Sequence, residues 1–301
     1  MTSRSPSSTR CAEPDPADLK ENPMTAITAT GTKLRAPRIN GHQTFGRALR
    51  SEWIKIRSLR STWVTSAVAM GVMVLFGAAT AIGYHGIPEQ VDQAKYQITS
   101  AAPFGYIIVA VLGALQVTGE YASGQIRSSL TATPHRGRLL MAKAAVVAVF
   151  GFFLGLLSTM ATWAVTVPFL KDDAGSITDS EYLGFFWGSG LAFAAIALMG
   201  LAYGFLLRST AGAITTVVVV LFVIMVPLQM MASQWEWAKE LVGLLPTSAD
   251  AAITDPFAVA NTWGVEGTAT FLSQAQTVLV FLAWTVLPLP IAAAIFLTRD
   301  A

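Results

Sequence analysis

The residues best suited to nucleophilic or metal chemistry are three histidines, His42, His85 and His135, and one cysteine, Cys11. Their spacing serves neither purpose. The histidines lie far apart, no HExxH pair occurs, and each reads as a solvated loop residue. A lone cysteine makes no intrachain disulfide and no cysteine metal cluster. Gly188, Ser189 and Gly190 place a serine between glycines inside an apolar run, but no histidine lies in a later run to act as its base. That triplet reads as a packing element. Gly31, Thr32 and Lys33 lack the upstream glycine and the strand of a phosphate loop. The chain is therefore expected to be no enzyme, to carry no cofactor or metal, and to bind no ATP by that route.

The charges say more when read against the elements that carry them. Hydrophobic residues make up 53% of the chain and charged residues 13%, far from the composition of a soluble domain. Six stretches contain no charge at all: residues 61–84, 96–119, 144–170, 182–207, 209–235 and 267–298. Each can hold the roughly 20 apolar residues that a helix needs to cross hydrocarbon. Only helices satisfy their own backbone there. The fold class is an all-α integral membrane protein with six transmembrane helices, at about 63–84, 103–118, 141–169, 183–206, 211–231 and 276–297. Pro227 falls near the end of the fifth, and Pro288 with Pro290 should kink the sixth.

Connections alternate in sign. Arg35, Arg38, Arg47, Arg50, Lys55, Arg57 and Arg60 precede the first span. Arg127, Arg136, Arg138 and Lys143 fill the second connection and its exit, Arg208 the fourth, and Arg299 the tail. The first, third and fifth connections hold single lysines among acids such as Glu89, Asp92, Asp172, Asp173, Asp250, Asp255 and Glu266. Lys/Arg-rich connections stay cytoplasmic. Both termini are thus expected in the cytoplasm, and the chain in the cell membrane. This segregation accounts for the cations, so no nucleic-acid partner is expected. The spans themselves lack the charges of an ion-coupled carrier. Glu120, Lys143 and Arg208 read as span boundaries.

Residues 1–44 are polar, rich in Ser, Thr, Pro and Ala, and predict a disordered cytoplasmic tail with no signal-peptide core. Met1 and Met24 are both candidate starts. Residues 45–301 then form one membrane domain. It opens with an amphipathic helix along the membrane surface, where Phe45, Leu49, Trp53, Ile56, Leu59 and Trp63 share an arc and Arg47, Arg50, Lys55 and Arg57 lie elsewhere. Glu52 projects into that arc. Either it reaches headgroup water, the favoured reading, or it pairs with an arginine of the second connection. The fifth connection, 232–275, mixes Trp235, Trp237, Leu241 and Trp263 with acids and predicts two short helices dipping into the outer interface. Gly151 with Gly155, Gly184 with Gly188, and Gly200 with Gly204 are spaced for close helix packing within the monomer.

The second connection resembles that of permease subunits of type-2 ATP-binding-cassette (ABC) exporters. The matching residues are Glu120, Tyr121, Gly124, Ile126, Arg127, Leu130, Pro134, Arg136, Ala142 and Lys143. Residues 51–58, Ser-Glu-Trp-Ile-Lys-Ile-Arg-Ser, are similar to the actinobacterial members. The resemblance covers about residues 45–299. It implies a membrane subunit that moves a substrate with ATP hydrolysed by a separate ATPase subunit. It also implies a homodimer, or a heterodimer with a paralogous permease, set among membrane lipids. It makes a short helix at about 121–130, bounded by Gly119 and Pro134, the cytoplasmic coupling helix, with Glu120, Tyr121, Gly124, Arg127 and Arg136 as coupling residues. By the same resemblance spans two and five line the pathway, which singles out Phe104, Tyr106, Gln116, Thr215 and Thr216. The rival reading is a non-transporting membrane anchor, signalling or assembly protein.

Overall fold

The computed structural model describes residues 44–87, 91–133, 135–171, 176–256 and 272–298. Among them every regular element is helical. The expected disordered tail lies outside the described residues, as do Pro134, residues 257–271 of the fifth connection with Trp263, and Arg299.

The surface helix is α1 (Phe45–Ser58). The first span is α2 (Arg60–His85). A short helix α3 (Val91–Ala94) and a 3-10 turn (Lys95–Thr99) lead into α4 (Ala102–Ser123), the second span. Next come α5 (Gln125–Ala132) and the third span, α6 (Arg136–Leu170). The fourth span is α7 (Ser180–Leu207). The fifth is α8 (Thr210–Val218), a π-helical turn (Val219–Val223) and α9 (Met225–Ala232). The fifth connection contributes three short helices where two were expected: α10 (Glu236–Gly243), α11 (Pro246–Ala249) and α12 (Ala251–Thr254). The last span is α13 (Gln274–Val286) followed by α14 (Pro288–Thr298). Six helical segments are thus long and apolar enough to cross a membrane.

Two spans outrun their apolar limits. The apolar run of α4 stops at Glu120, yet the helix continues to Ser123. With 35 residues, α6 is about 52 Å long at 1.5 Å per residue, well beyond a 30 Å core. Both helices overrun at the end of the bundle that carries α1 and α5, hereafter the basic end. The other end carries α10–α12 and is the acidic end.

At the centre α7 packs against α6 on one side and α4 on the other. Two-thirds of its apolar stretch, 67%, is buried, against 22% for the fifth span and 17% for the sixth. Glycines explain the intimacy. Gly200 of α7 lies on the backbone of Ala110, and Gly113 of α4 on that of Ala197, so a Cβ on either would strike a carbonyl of the other helix. Gly151 and Gly155 of α6 meet α7 at Phe193 and Ser189 in the same way. Without water to drive apolar surfaces together, such backbone approach is what holds membrane helices. Gly151 with Gly155 and Gly200 with Gly204 thus pack inside the monomer.

Proline marks the breaks. Pro288 has no N–H to donate and begins α14 after the single non-helical residue Leu287. Pro227 sits four residues after Val223 and would clash with its carbonyl in a regular helix. The π-helical turn immediately before it, closed by Ile224 N–H donating to Val219 O at 3.1 Å, widens the backbone there.

Candidate functional site

Ala48, Glu52 and Ile56 are spaced by four and form one face of α1, and all three are buried against the bundle. The expected arc splits: Phe45, Trp53, Leu59 and Trp63 are exposed, Leu49 is half-buried, and Ile56 turns inward. Trp63 Nε1 donates to Arg57 O at 2.9 Å, which fixes the corner between α1 and α2. Arg57 itself is exposed.

Glu52 therefore corrects both sequence readings. It reaches no headgroup water and pairs with no arginine. It is 3% exposed and meets two lysines. Lys55 Nζ lies 2.7 Å from Glu52 Oε1 and 2.8 Å from Glu120 Oε1, and donates to Ser129 Oγ at 3.1 Å. Lys143 Nζ lies 2.8 Å from Glu52 Oε2 and 2.7 Å from Glu120 Oε1, and donates to Gln116 O at 3.1 Å. Two carboxylates and two ammoniums form a neutral square, buried except at the half-exposed Lys55, that joins α1, α4, α5 and α6. Burial alone would lower the Lys55 ammonium, but hydrogen bonds to Glu120 and Glu52 more than offset it and hold the group above its ordinary range. Glu120 and Lys143 are hence more than boundary markers, since Lys143 is only 1% exposed. Their pairing also explains why α4 and α6 run on past the apolar limits.

The short helix of the second connection is shifted from its expected place. Tyr121 still belongs to α4, and the break falls at Gly124, not Gly119. Gly124 takes φ +72°, the left-handed conformation glycine adopts without strain. The following helix is Gln125–Ala132. Its inner face is Ile126 and Ser129, the latter held by Lys55, while Arg127, Ser128 and Thr131 are exposed. Arg136 Nη1 donates to Phe296 O at 3.2 Å, tying the start of α6 to the end of α14. The Arg208 guanidinium stands 5.2 Å from the Tyr121 ring centre. Arg208 caps α7 in the left-handed conformation. Arg136 thus fastens the start of α6 to α14, and Arg208 brings the turn after α7 against α4.

The five residues singled out on spans two and five do not form one surface. Tyr106 is wholly buried against Phe193. Phe104, on the other side of α4, is exposed and stacks on Phe76 at 5.2 Å. Gln116 borders a cavity at the basic end. Thr215 is exposed, and Thr216 is partly buried and donates to Gly212 O.

At the acidic end sequence reasoning missed that Asp250 and Asp255 are buried. Asp250 follows α11 and is 7% exposed. Burial pushes its carboxyl up to about 7, and the Tyr106 hydroxyl beside it pulls the other way. That hydroxyl stands outside hydrogen-bonding geometry and has no partner. Asp250 borders a polar cavity of about 260 Å³ with Thr247, Ser248 and Gln229. Neighbouring α12 rests on Gly188, whose missing Cβ admits the Ile253 carbonyl.

Residues 48–227 match the family described as ABC-2 family transporter protein. No curated protein matches the chain. The family match spans more than half of the chain, including α1, the ion square, α5 and the first four spans. The chain belongs to this family and is the membrane subunit of an ABC transporter, not its ATPase.

Proposed function

We propose that this ABC-2 permease exports a substrate across the cell membrane, driven by ATP hydrolysed in a separate subunit that docks on α5. The basic end would face the cytoplasm, with both termini there, because Lys/Arg-rich connections stay on that side. Two copies, or this chain and a paralogue, would form the pathway. The sparsely buried fifth and sixth spans offer the free surface for that pairing.

The observation that carries the reading is the anchoring of α5. A helix that receives mechanical work must present an outer face to the ATPase and pass displacement to the spans without bending. The outer face is Arg127, Ser128 and Thr131. The inner face is joined through Ser129 and Lys55 to Glu120 of α4, and Lys143 extends the link to α6. A topogenic loop would need only its arginines.

Arg127→Glu and Gly124→Pro test the reading in the reconstituted complex with its ATPase. The first reverses charge on the outer face, where acidic partner residues are expected. The second forces φ near −65° where +72° is needed. Both should insert normally, and both should lose ATPase retention in a pull-down and transport. Parental transport by both variants would reduce the connection to a topogenic loop.

A further inference from the structure

A cavity of about 290 Å³ opens at the basic end between α1, α4 and α5, bordered by the ion square. Its polar wall includes Lys55, Gln116, Glu120 and Gln125, and its apolar lip is Leu59 and Leu115. Hydrogen-bond capacity in the square does not balance. An ammonium has three protons. Those of Lys55 go to Glu52 Oε1, Glu120 Oε1 and Ser129 Oγ. Those of Lys143 go to Glu52 Oε2, Glu120 Oε1 and Gln116 O. Every ammonium donor is engaged. Glu120 Oε1 accepts two of them, and Glu120 Oε2 is buried with no partner. Leaving a buried carboxylate oxygen without a donor is costly. Glu120 is also among the residues that border the cavity.

The surroundings specify what brings a donor. The square is electrically neutral, so a bare cation or an anion would leave an uncompensated charge beside it. A zwitterion would not. Leu59 is 48% exposed and Leu115 38%, both at the mouth. They are suited to acyl chains and not to water. The Gln116 and Gln125 carboxamides can donate to a phosphate oxygen. We propose that this cavity holds the headgroup of one phospholipid bearing a primary ammonium, of the phosphatidylethanolamine kind. Its ammonium donates to Glu120 Oε2, and its phosphate lies toward the two glutamines. Bound lipid would complete the joint between the surface helix and α4. The inference rests on the membrane placement of the chain and not on docking of an ATPase.

Phosphatidylcholine provides the test, because its quaternary ammonium has no proton to donate. The intact permease would be delipidated in detergent and mixed with phosphatidylethanolamine, phosphatidylcholine or phosphatidylglycerol. Retained lipid is counted by native mass spectrometry, and thermal stability is read beside it. One phosphatidylethanolamine per chain is expected, held on the order of tenfold more tightly than phosphatidylcholine, the worth of one charge-assisted hydrogen bond. Gly119→Leu supplies the second arm. Gly119 borders the cavity, and a Cβ there meets nothing within 4 Å. This variant should fold as the parent does in phosphatidylcholine and lose the preference. Equal retention of the two zwitterionic lipids would show that water satisfies Glu120 and would overturn the proposal. So would a preference that survives Gly119→Leu, or tighter retention of phosphatidylglycerol.

Discussion

Replacing Lys143 by methionine removes one buried corner of the square and keeps the volume nearly unchanged. Three hydrogen bonds go with the ammonium, two to carboxylates and one to Gln116 O. Glu52 and Glu120 then share only Lys55, two negative charges against one positive, in a place where Lys143 was 1% exposed. Removing one partner of a buried ion pair costs about 3–5 kcal/mol, because the other charge is left uncompensated. Lys143→Met should lose about that much. Glu52→Leu with Lys143→Met removes a balanced pair and leaves Lys55 with Glu120. An apolar replacement of a whole buried pair is often neutral, so the double variant should recover about 2 kcal/mol or more relative to additivity. Denaturation in detergent, followed by the fluorescence of the eight tryptophans, measures each variant. Lys239→Met is the control, since Lys239 meets Glu236 only on the surface, where such pairs contribute little. Additive single and double variants, or a Lys143→Met loss no larger than the control, would refute the account of the square as a buried joint.

At the acidic end, Asp250→Asn should raise thermal stability at pH 8, and the gain should shrink steadily as pH falls toward 4. Burial pushes the folded carboxyl from the ordinary carboxylate range up to about 7, so the folded state holds the proton more tightly. Stability then falls as pH rises through that window, by at most about 4 kcal/mol, and a pH-independent difference between the two proteins would contradict the assignment. Gly200→Leu should prevent stable folding, because its side chain would enter the Ala110 backbone. Gly83→Leu, whose site is open, should not, and equal expression of the two would undo the packing argument. Reporter fusions after Arg138 should read cytoplasmic and those at Asp250 external; the reverse pattern would invert the proposed orientation.

The six spans are legible because hydrocarbon thickness and backbone satisfaction leave few options for long uncharged runs. The glycine pairs are legible for a similar reason, since close approach admits few side chains. The ion square is not. Positive-inside bias explains Lys55 and Lys143 well enough that nothing in the sequence calls for a further role. Their burial depends on which face of α1 turns inward. That face is set by Ala48 and Ile56 around Glu52, whereas the arc of larger apolar residues from Phe45 to Trp63 draws attention to the membrane side. The start of α5 is displaced for a simpler reason. Glu120 ends the apolar run and looks like a terminus, but a paired glutamate does not stop a helix, and the left-handed glycine four residues later does. Asp250 and Asp255, both buried, are hidden among loop acids of the same composition.

The π-helical turn in the fifth span has a consequence for how that span presents itself. An additional residue in one turn rotates everything beyond it by about 100° relative to a regular helix. Residues of α8 and α9 that a helical wheel would stack in one stripe therefore point to different neighbours. A solvent- or lipid-accessibility scan along residues 210–232 should follow a 3.6-residue rhythm up to Val218, slip phase across Val219–Val223, and resume on a new azimuth. Two copies meeting along this span would touch through one stripe in the half nearer the basic end and through a different one in the other half.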